Sequence, residues 1–242
     1  MPSNQPIGIF DSGFGGLTVA RAIIDLLPSE DIVYFGDTSR YPYGPQPLEE
    51  VKSYSEQISD YLIAEHDVKM IVIACNTASA AAEGDLRNST EIPIVGVITP
   101  GAQAVAEVSS TKKIGVIGTV GTINSQAYEN AIKGISPENI ELVSVACPGF
   151  VEFVERGEFE GEQVRILADR LLAPVIQADV DALLLGCTHY PYLARAIGES
   201  VGEGVVLVSS ADETAFAVAK SLRAKDLETT NINQGNRTFI SS

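Results

Sequence analysis

Eight short apolar runs begin near Ile7, Ile32, Met70, Ile94, Ile114, Glu141, Ala182 and Val205, and their spacing nearly repeats. From Ile7 the gaps are about 25, 38 and 24 residues; from Ile114 they are about 27, 41 and 23. Runs of this length, rich in β-branched and aliphatic residues, read as buried strands. Amphipathic or alanine-rich stretches lie between most of them. Leu17–Leu27, Leu48–Glu65, Thr77–Arg87 and Gly101–Val108 read as helices in the first half, and Ile123–Lys133, Val164–Ile176, Tyr192–Ile197 and Glu213–Arg223 in the second. Strand-helix alternation implies βαβ units and mostly parallel sheets covered on both faces. The long period points to a duplicated α/β half, since solenoid repeats are shorter. The expected boundary lies near Thr99-Pro100-Gly101, giving one domain from residues 1–98 with 208–242 and a second from 99–207. The polar stretch Thr229–Ser242 gives no helix signal.

A chain of 242 residues that is 45% hydrophobic can bury a sizeable core. Its formal net charge of −16 argues against nucleic-acid binding through a basic face. The acidic residues are scattered, as on a solvated surface, so an anionic substrate must find positive potential locally. The longest apolar run is far short of a membrane span, and no signal-peptide pattern precedes Ile7. Three cysteines, none in a CxxC pair, suit a reducing compartment. A cytoplasmic protein without membrane attachment is expected.

Two of those cysteines occupy matching settings. Met70-Ile71-Val72-Ile73-Ala74-Cys75-Asn76-Thr77 and Ala182-Leu183-Leu184-Leu185-Gly186-Cys187-Thr188-His189 each end the third strand of a half. Each thiol lies where a strand hands over to a loop and helix, and a helix N-terminus lowers a thiol pKa. Two thiols so placed could hold one carbon between them, at a site between the halves. A lone cysteine is usually a small buried hydrophobe, but the duplication favours function. A Cys-based phosphatase loop would want an arginine six positions on, where Ala81 and Leu193 stand. Zinc on Cys75, Cys187 and His189 would use an unusual spacing. A Cys–His hydrolase would leave the second thiol unexplained. Cys147, before Pro148, has no comparable polar neighbours and reads as packing.

Other motifs are less specific alone. Asp11-Ser12-Gly13-Phe14-Gly15-Gly16 could turn backbone amides toward an anion, or could be a tight strand-to-helix turn capped by Asp11 or Ser12. It lacks the GxGxxG spacing of dinucleotide binders. The stretch from Gly36 to Pro45 suits a rigid rim over a pocket or a plain surface turn. His189 can tune Cys187 or exchange protons, whereas His66, in Glu65-His66-Asp67, reads as exposed. From spacing alone Glu155 is one more exposed glutamate.

Ile9-Phe10-Asp11-Ser12-Gly13-Phe14-Gly15-Gly16-Leu17-Thr18, Gly36-Asp37-Thr38, Pro42-Tyr43-Gly44, Ala74-Cys75-Asn76-Thr77-Ala78, Gly115-Val116-Ile117-Gly118-Thr119 and Gly186-Cys187-Thr188-His189-Tyr190-Pro191 together resemble the glutamate racemase family, within the aspartate/glutamate racemases. The resemblance runs from about Ile7 to Ala217. It implies two pseudo-symmetric α/β domains, each a mostly parallel sheet flanked by helices, with the active site in the cleft between them. It also implies cofactor-independent, metal-free inversion of glutamate that supplies D-glutamate for peptidoglycan and cell shape. The enzyme would act on a small molecule, most simply as a homodimer. Cys75 and Cys187 would be the acid/base pair, assisted by Asp11 and His189, with Glu155 at the family's acidic position. Asp11, Ser12, Tyr43, Gly44, Asn76, Thr77, Thr188 and His189 fall at substrate-contact positions, with Thr119 and Thr122 beside them. Departures are Gly149, where a larger residue is common, Thr99 before Pro100-Gly101, and the absence of a further helix after Arg237-Thr238-Phe239.

Overall fold

The computed structural model describes residues 3–135 and 140–242. In chain order the strands are β1 (Ile7–Asp11), β2 (Ile32–Gly36), β3 (Met70–Ile73), β4 (Ile94–Gly96), β5 (Lys113–Gly118), β6 (Glu141–Ala146), β7 (Ala182–Gly186), β8 (Val206–Ser209) and β9 (Arg237–Ser241). The α-helices are α1 (Leu17–Leu26), α2 (Leu48–His66), α3 (Asn76–Ser89), α4 (Ile98–Val108), α5 (Val120–Asn124), α6 (Ala127–Ile135), α7 (Phe150–Glu155), α8 (Glu162–Gln177), α9 (Ala194–Val201) and α10 (Ser210–Ala224). They fall into two units. The first runs to Val97 and resumes at Ala211; the second is Ile98–Ser210.

The first unit holds a sheet in the order β4-β3-β1-β2-β9, the second one in the order β6-β5-β7-β8. Every pairing in both sheets is parallel. Counting strands within each half, both sheets read 4-3-1-2, with β9 added beyond the first. The repeat in the sequence is therefore a repeat of topology. In this order the chain leaves the first strand toward one side and returns on the other. The first and third strands thus flank a topological switch point, where crevices at the strands' carboxyl ends favour ligands. Asp11 and Cys75 stand at that point in the first unit, and Gly118 and Cys187 in the second.

Strands β1, β3 and β7 are buried on both faces, which is why their sequences are nearly continuous apolar runs. Alternation sorts their side chains to opposite layers. Ile7, Ile9, Met70 and Val72 pack with α1 residues Val19, Ala20 and Ile23, while Phe10, Ile71 and Ile73 pack with Val51, Ile58 and Leu62 of α2. In the second unit Leu183 and Leu185 pack with Val164, Ala168, Leu172 and Val175 of α8, and Ala182 and Leu184 with Ala102 and Val105 of α4. Each fully buried aliphatic side chain contributes roughly 1.5–3 kcal/mol relative to exposure.

Several elements differ from the sequence expectation. The single helix expected over Ile123–Lys133 is two, because Gln126 takes a left-handed conformation (φ 56°) between α5 and α6. The six-residue α7 is additional. Thr99-Pro100-Gly101 is the first turn of α4, where proline is tolerated because the helix needs no amide donor there. Tyr190–Leu193 forms a 3-10 turn ahead of α9, so Cys187 does not lead directly into an α-helix as Cys75 does. The segment after Thr229 is also ordered into structure: β9 adds to β2 in parallel. Arg237 clamps it by donating from Nη2 to Pro28 O at 2.8 Å and from Nη1 to Glu30 O, while Asn236 N donates to Asp31 Oδ1 at 2.7 Å.

Gly149, at the position noted as a departure, has φ 96°, and a Cβ there would stand 2.9 Å from Leu167 Cδ2. Both facts favour glycine at this N-cap of α7.

Candidate active site

In the first unit Cys75 is the N-cap of α3, extended at φ −73° and ψ 127°. Its Sγ accepts from Ala78 N at 3.5 Å and lies 3.9 Å from Ser12 Oγ. Asp11 ends β1 on the neighbouring strand, fully buried, with Oδ2 accepting from Gly13 N at 3.0 Å. The turn that follows is fitted closely: a Cβ on Gly16 would stand 2.5 Å from Asp11 Cβ. Tyr34 donates its hydroxyl to Gly13 O at 2.8 Å and fixes the turn from behind. Asn76 and Thr77 are buried in the first turn of α3, and Tyr43 is buried in the same core layer as Cys75. Gly44 beside it is half-buried.

Burial first, and then the charge of Asp11, push the Cys75 thiol up to about 12, against the pull of hydrogen bonds from Ala78, Ser12 and Thr77. The helix N-terminus does favour the thiolate, as expected from sequence, but desolvation outweighs it. Cys75 therefore rests as a thiol with an acidic neighbour. Peptide-mapped alkylation of the ligand-free protein should be slow at neutral pH and rise about tenfold per pH unit until near the thiol pKa. Asp11→Asn removes the anionic neighbour and should speed labelling at any given pH. Slower labelling in that variant would contradict the electrostatic account.

In the second unit Cys187 follows β7, and His189 lies two residues on, both buried. His189 Nδ1 is 3.9 Å from Cys187 Sγ and 3.4 Å from Thr188 Oγ1. Its Nε2 meets Glu155 Oε1 at 2.7 Å. A carboxylate there places the ring hydrogen on Nε2, so in the neutral ring Nδ1 accepts on the thiol side. Glu155 ends α7 with a quarter of its side chain exposed, which links the buried imidazole to solvent. Thr119 caps α5, accepting from Thr122 N at 3.2 Å, and the two hydroxyls are 3.0 Å apart. Register pairs Gly118 with Gly186, so Thr119 and Cys187 each stand one residue beyond that pair. Cys147 is buried, with its thiol pushed up to about 12 by desolvation alone. Its backbone oxygen accepts the Tyr190 hydroxyl at 3.1 Å, a packing role.

Among the described residues no group of three His, Cys, Asp or Glu side chains is placed to hold a metal ion. Also among them, no helix is long and apolar enough to cross a membrane.

The model of the Asp/Glu/Hydantoin racemase family matches residues 10–218. The chain belongs to that family. A glutamate racemase of Geobacter metallireducens is 51% identical over 238 residues, 98% of this chain and 87% of the relative. The crystal structure of glutamate racemase isoform RacE1 from Bacillus anthracis superposes with TM-score 0.94 at 42% identity, over 99% of this chain and 89% of that one. The glutamate racemase of Francisella tularensis, solved in complex with D-glutamate, gives TM-score 0.91 at 36% identity, over 98% and 88% of the two chains. The fold common to this racemase family is thus the pair of parallel-sheet units described above.

Within each unit the predicted residues gather: Asp11, Ser12, Tyr43, Asn76 and Thr77 about Cys75, and Thr188, His189 and Glu155 about Cys187. Sequence reasoning missed Asp37, a buried acid that accepts the Tyr43 hydroxyl. Its signal was an acidic residue set between a strand end and an aromatic, proline-rich loop.

Proposed function

We propose that this chain inverts the α-carbon of glutamate without a cofactor, one thiol removing the proton and the other returning one to the opposite face. The observation that carries the reading is the repeated 4-3-1-2 strand order with a thiol after the third strand of each sheet. An α-proton is weakly acidic, so each face needs a base poised at the carbon and an acid opposite it. Asp11 takes the proton that Cys75 gives up, and His189, backed by Glu155, serves Cys187 in the same way. Ser12, Tyr43, Gly44, Asn76, Thr77, Thr119, Thr122 and Thr188 hold the substrate's charged ends. Backbone amides at the starts of α3 and α5 supply positive potential that the acidic chain lacks overall. Glutamate, and not aspartate, is favoured by the 51% identical relative named a glutamate racemase. The product role is supply of D-glutamate to the cell wall in the cytoplasm, and the assembly is a homodimer.

The test is circular dichroism of purified protein, dialysed against chelator and free of pyridoxal phosphate, with each enantiomer of glutamate and aspartate. Both glutamate enantiomers should decay to the racemate, with aspartate far slower. Activity that returns only on adding metal or pyridoxal phosphate, or that prefers aspartate, would overturn the proposal.

A further inference from the structure

The geometry points to Asp37 as a positioning residue for the loop that carries Tyr43 and Gly44, held in place by the end of strand β9 through Ser242. The inference rests on the racemase reading for its kinetic consequence. Asp37 has 0% exposure, and a buried carboxylate is tolerable only when fully hydrogen-bonded. Its Oδ2 accepts from the Tyr43 hydroxyl and from Arg40 Nε at 2.6 Å, and its Oδ1 accepts from Ser242 Oγ at 2.9 Å. Its own amide donates to Asp11 O at 2.9 Å, so the loop hangs from the end of β1 beside Cys75.

Both partners are themselves braced. Arg40 Nη1 donates to Gln57 Oε1 at 3.0 Å, and its guanidinium carbon lies 4.4 Å from the centre of the Tyr54 ring. The Tyr43 ring packs 5.7 Å from that same ring. Ser242 meets the loop three times and the end of β2 once. Its Oγ also accepts from Ser39 N at 2.9 Å, its carbonyl accepts from Thr38 Oγ1 at 3.1 Å, and its amide donates to Gly36 O at 3.2 Å. From Asp37 to Pro47 the backbone forms neither helix nor strand, so side-chain bonds hold it: Asp37 takes the Tyr43 hydroxyl, and Gln46 Nε2 donates to Arg40 O at 2.6 Å and Pro42 O at 3.0 Å. Strand β9 is then a strut for the loop as well as a sheet edge.

Asn at position 37 keeps the shape but loses the charge, and its amide group faces donors. Asp37→Asn should raise KM for both glutamate enantiomers on the order of tenfold, the loss of one charge-assisted hydrogen bond, with kcat within about threefold. Amide exchange across residues 38–44 should quicken while β3 and β7 stay protected. Ser242→Ala should act in the same direction with a smaller rise in KM, and Ser242→Thr, which restores a hydroxyl, should return both readouts toward the parent. Unchanged exchange in 38–44, an unchanged KM, or a loss confined to kcat would each overturn the assignment. If Asp37→Asn fails to fold, Ser242→Ala, which leaves the buried acid in place, decides the question. If the parent chain does not invert glutamate, the racemase reading fails by itself, and exchange in 38–44 still tests the strut.

Discussion

Replacing either Cys75 or Cys187 with serine is expected to lower glutamate inversion by roughly 10²–10⁴-fold, the range that a positioned acid or base contributes. A serine hydroxyl is a far weaker acid than a thiol, and the reaction needs both faces served. The two variants should separate in a one-sided assay. A substrate analogue that loses its α-proton by eliminating a β-leaving group needs only one base. Cys75→Ser should keep elimination from one enantiomer and Cys187→Ser from the other. Cys147→Ser should match the parent in both assays, since that thiol is buried and donates to the carbonyl of Val145 at 3.8 Å. Substantial inversion by both single variants, or an equal loss in Cys147→Ser, would remove the assignment of the pair.

The second large effect is expected at Gly186. A Cβ there would stand 2.7 Å from the carbonyl oxygen of Ile117, and one on Gly118 would stand 3.2 Å from Gly186 O. Both contacts are with backbone of the neighbouring strand, which has no rotamer to yield. Gly186→Ala must therefore spread β5 and β7 where Thr119 and Cys187 emerge. Overpacking of this kind costs about 1–3 kcal/mol, measurable as a lowered denaturant midpoint. Catalysis should fall further than stability, because shifts of about 1 Å in a reacting group can cost on the order of 10²-fold. Equal activity at reduced stability would show that the strand ends tolerate the displacement.

The inner strands β1, β3, β5 and β7 were legible because strands buried on both faces write themselves as continuous aliphatic runs, and the less buried β6 and β8 showed through their valine and leucine content. Strand β9 was not legible: Arg237-Thr238-Phe239-Ile240-Ser241 is short, lies at an edge and leaves Phe239 more than half exposed. Its place is set by Arg237 and Asn236 gripping backbone and Asp31, contacts some 200 residues away in the chain. The break between α5 and α6 depends on one left-handed glutamine, for which composition carries no signal. At the site, the thiols stood out by their duplicated setting. Glu155 did not, since only the fold brings it to His189 across 34 residues. The direction of the Cys75 pKa was also hidden, because helix position is local whereas burial is a property of the whole layer around Cys75.

The two thiols share a topology but not a chemistry: Cys75 has a carboxylate and a helix start beside it, and Cys187 an imidazole backed by a glutamate. For a reaction that interconverts mirror images this inequality is bounded. Enantiomers have equal free energy in achiral water, so the equilibrium constant is one, and kcat/KM must be the same in both directions. Whatever advantage one thiol gains from its surroundings must be returned as tighter or weaker saturation by the enantiomer it serves. Unequal halves can thus set how full the enzyme is with each hand of the substrate, but never which hand accumulates.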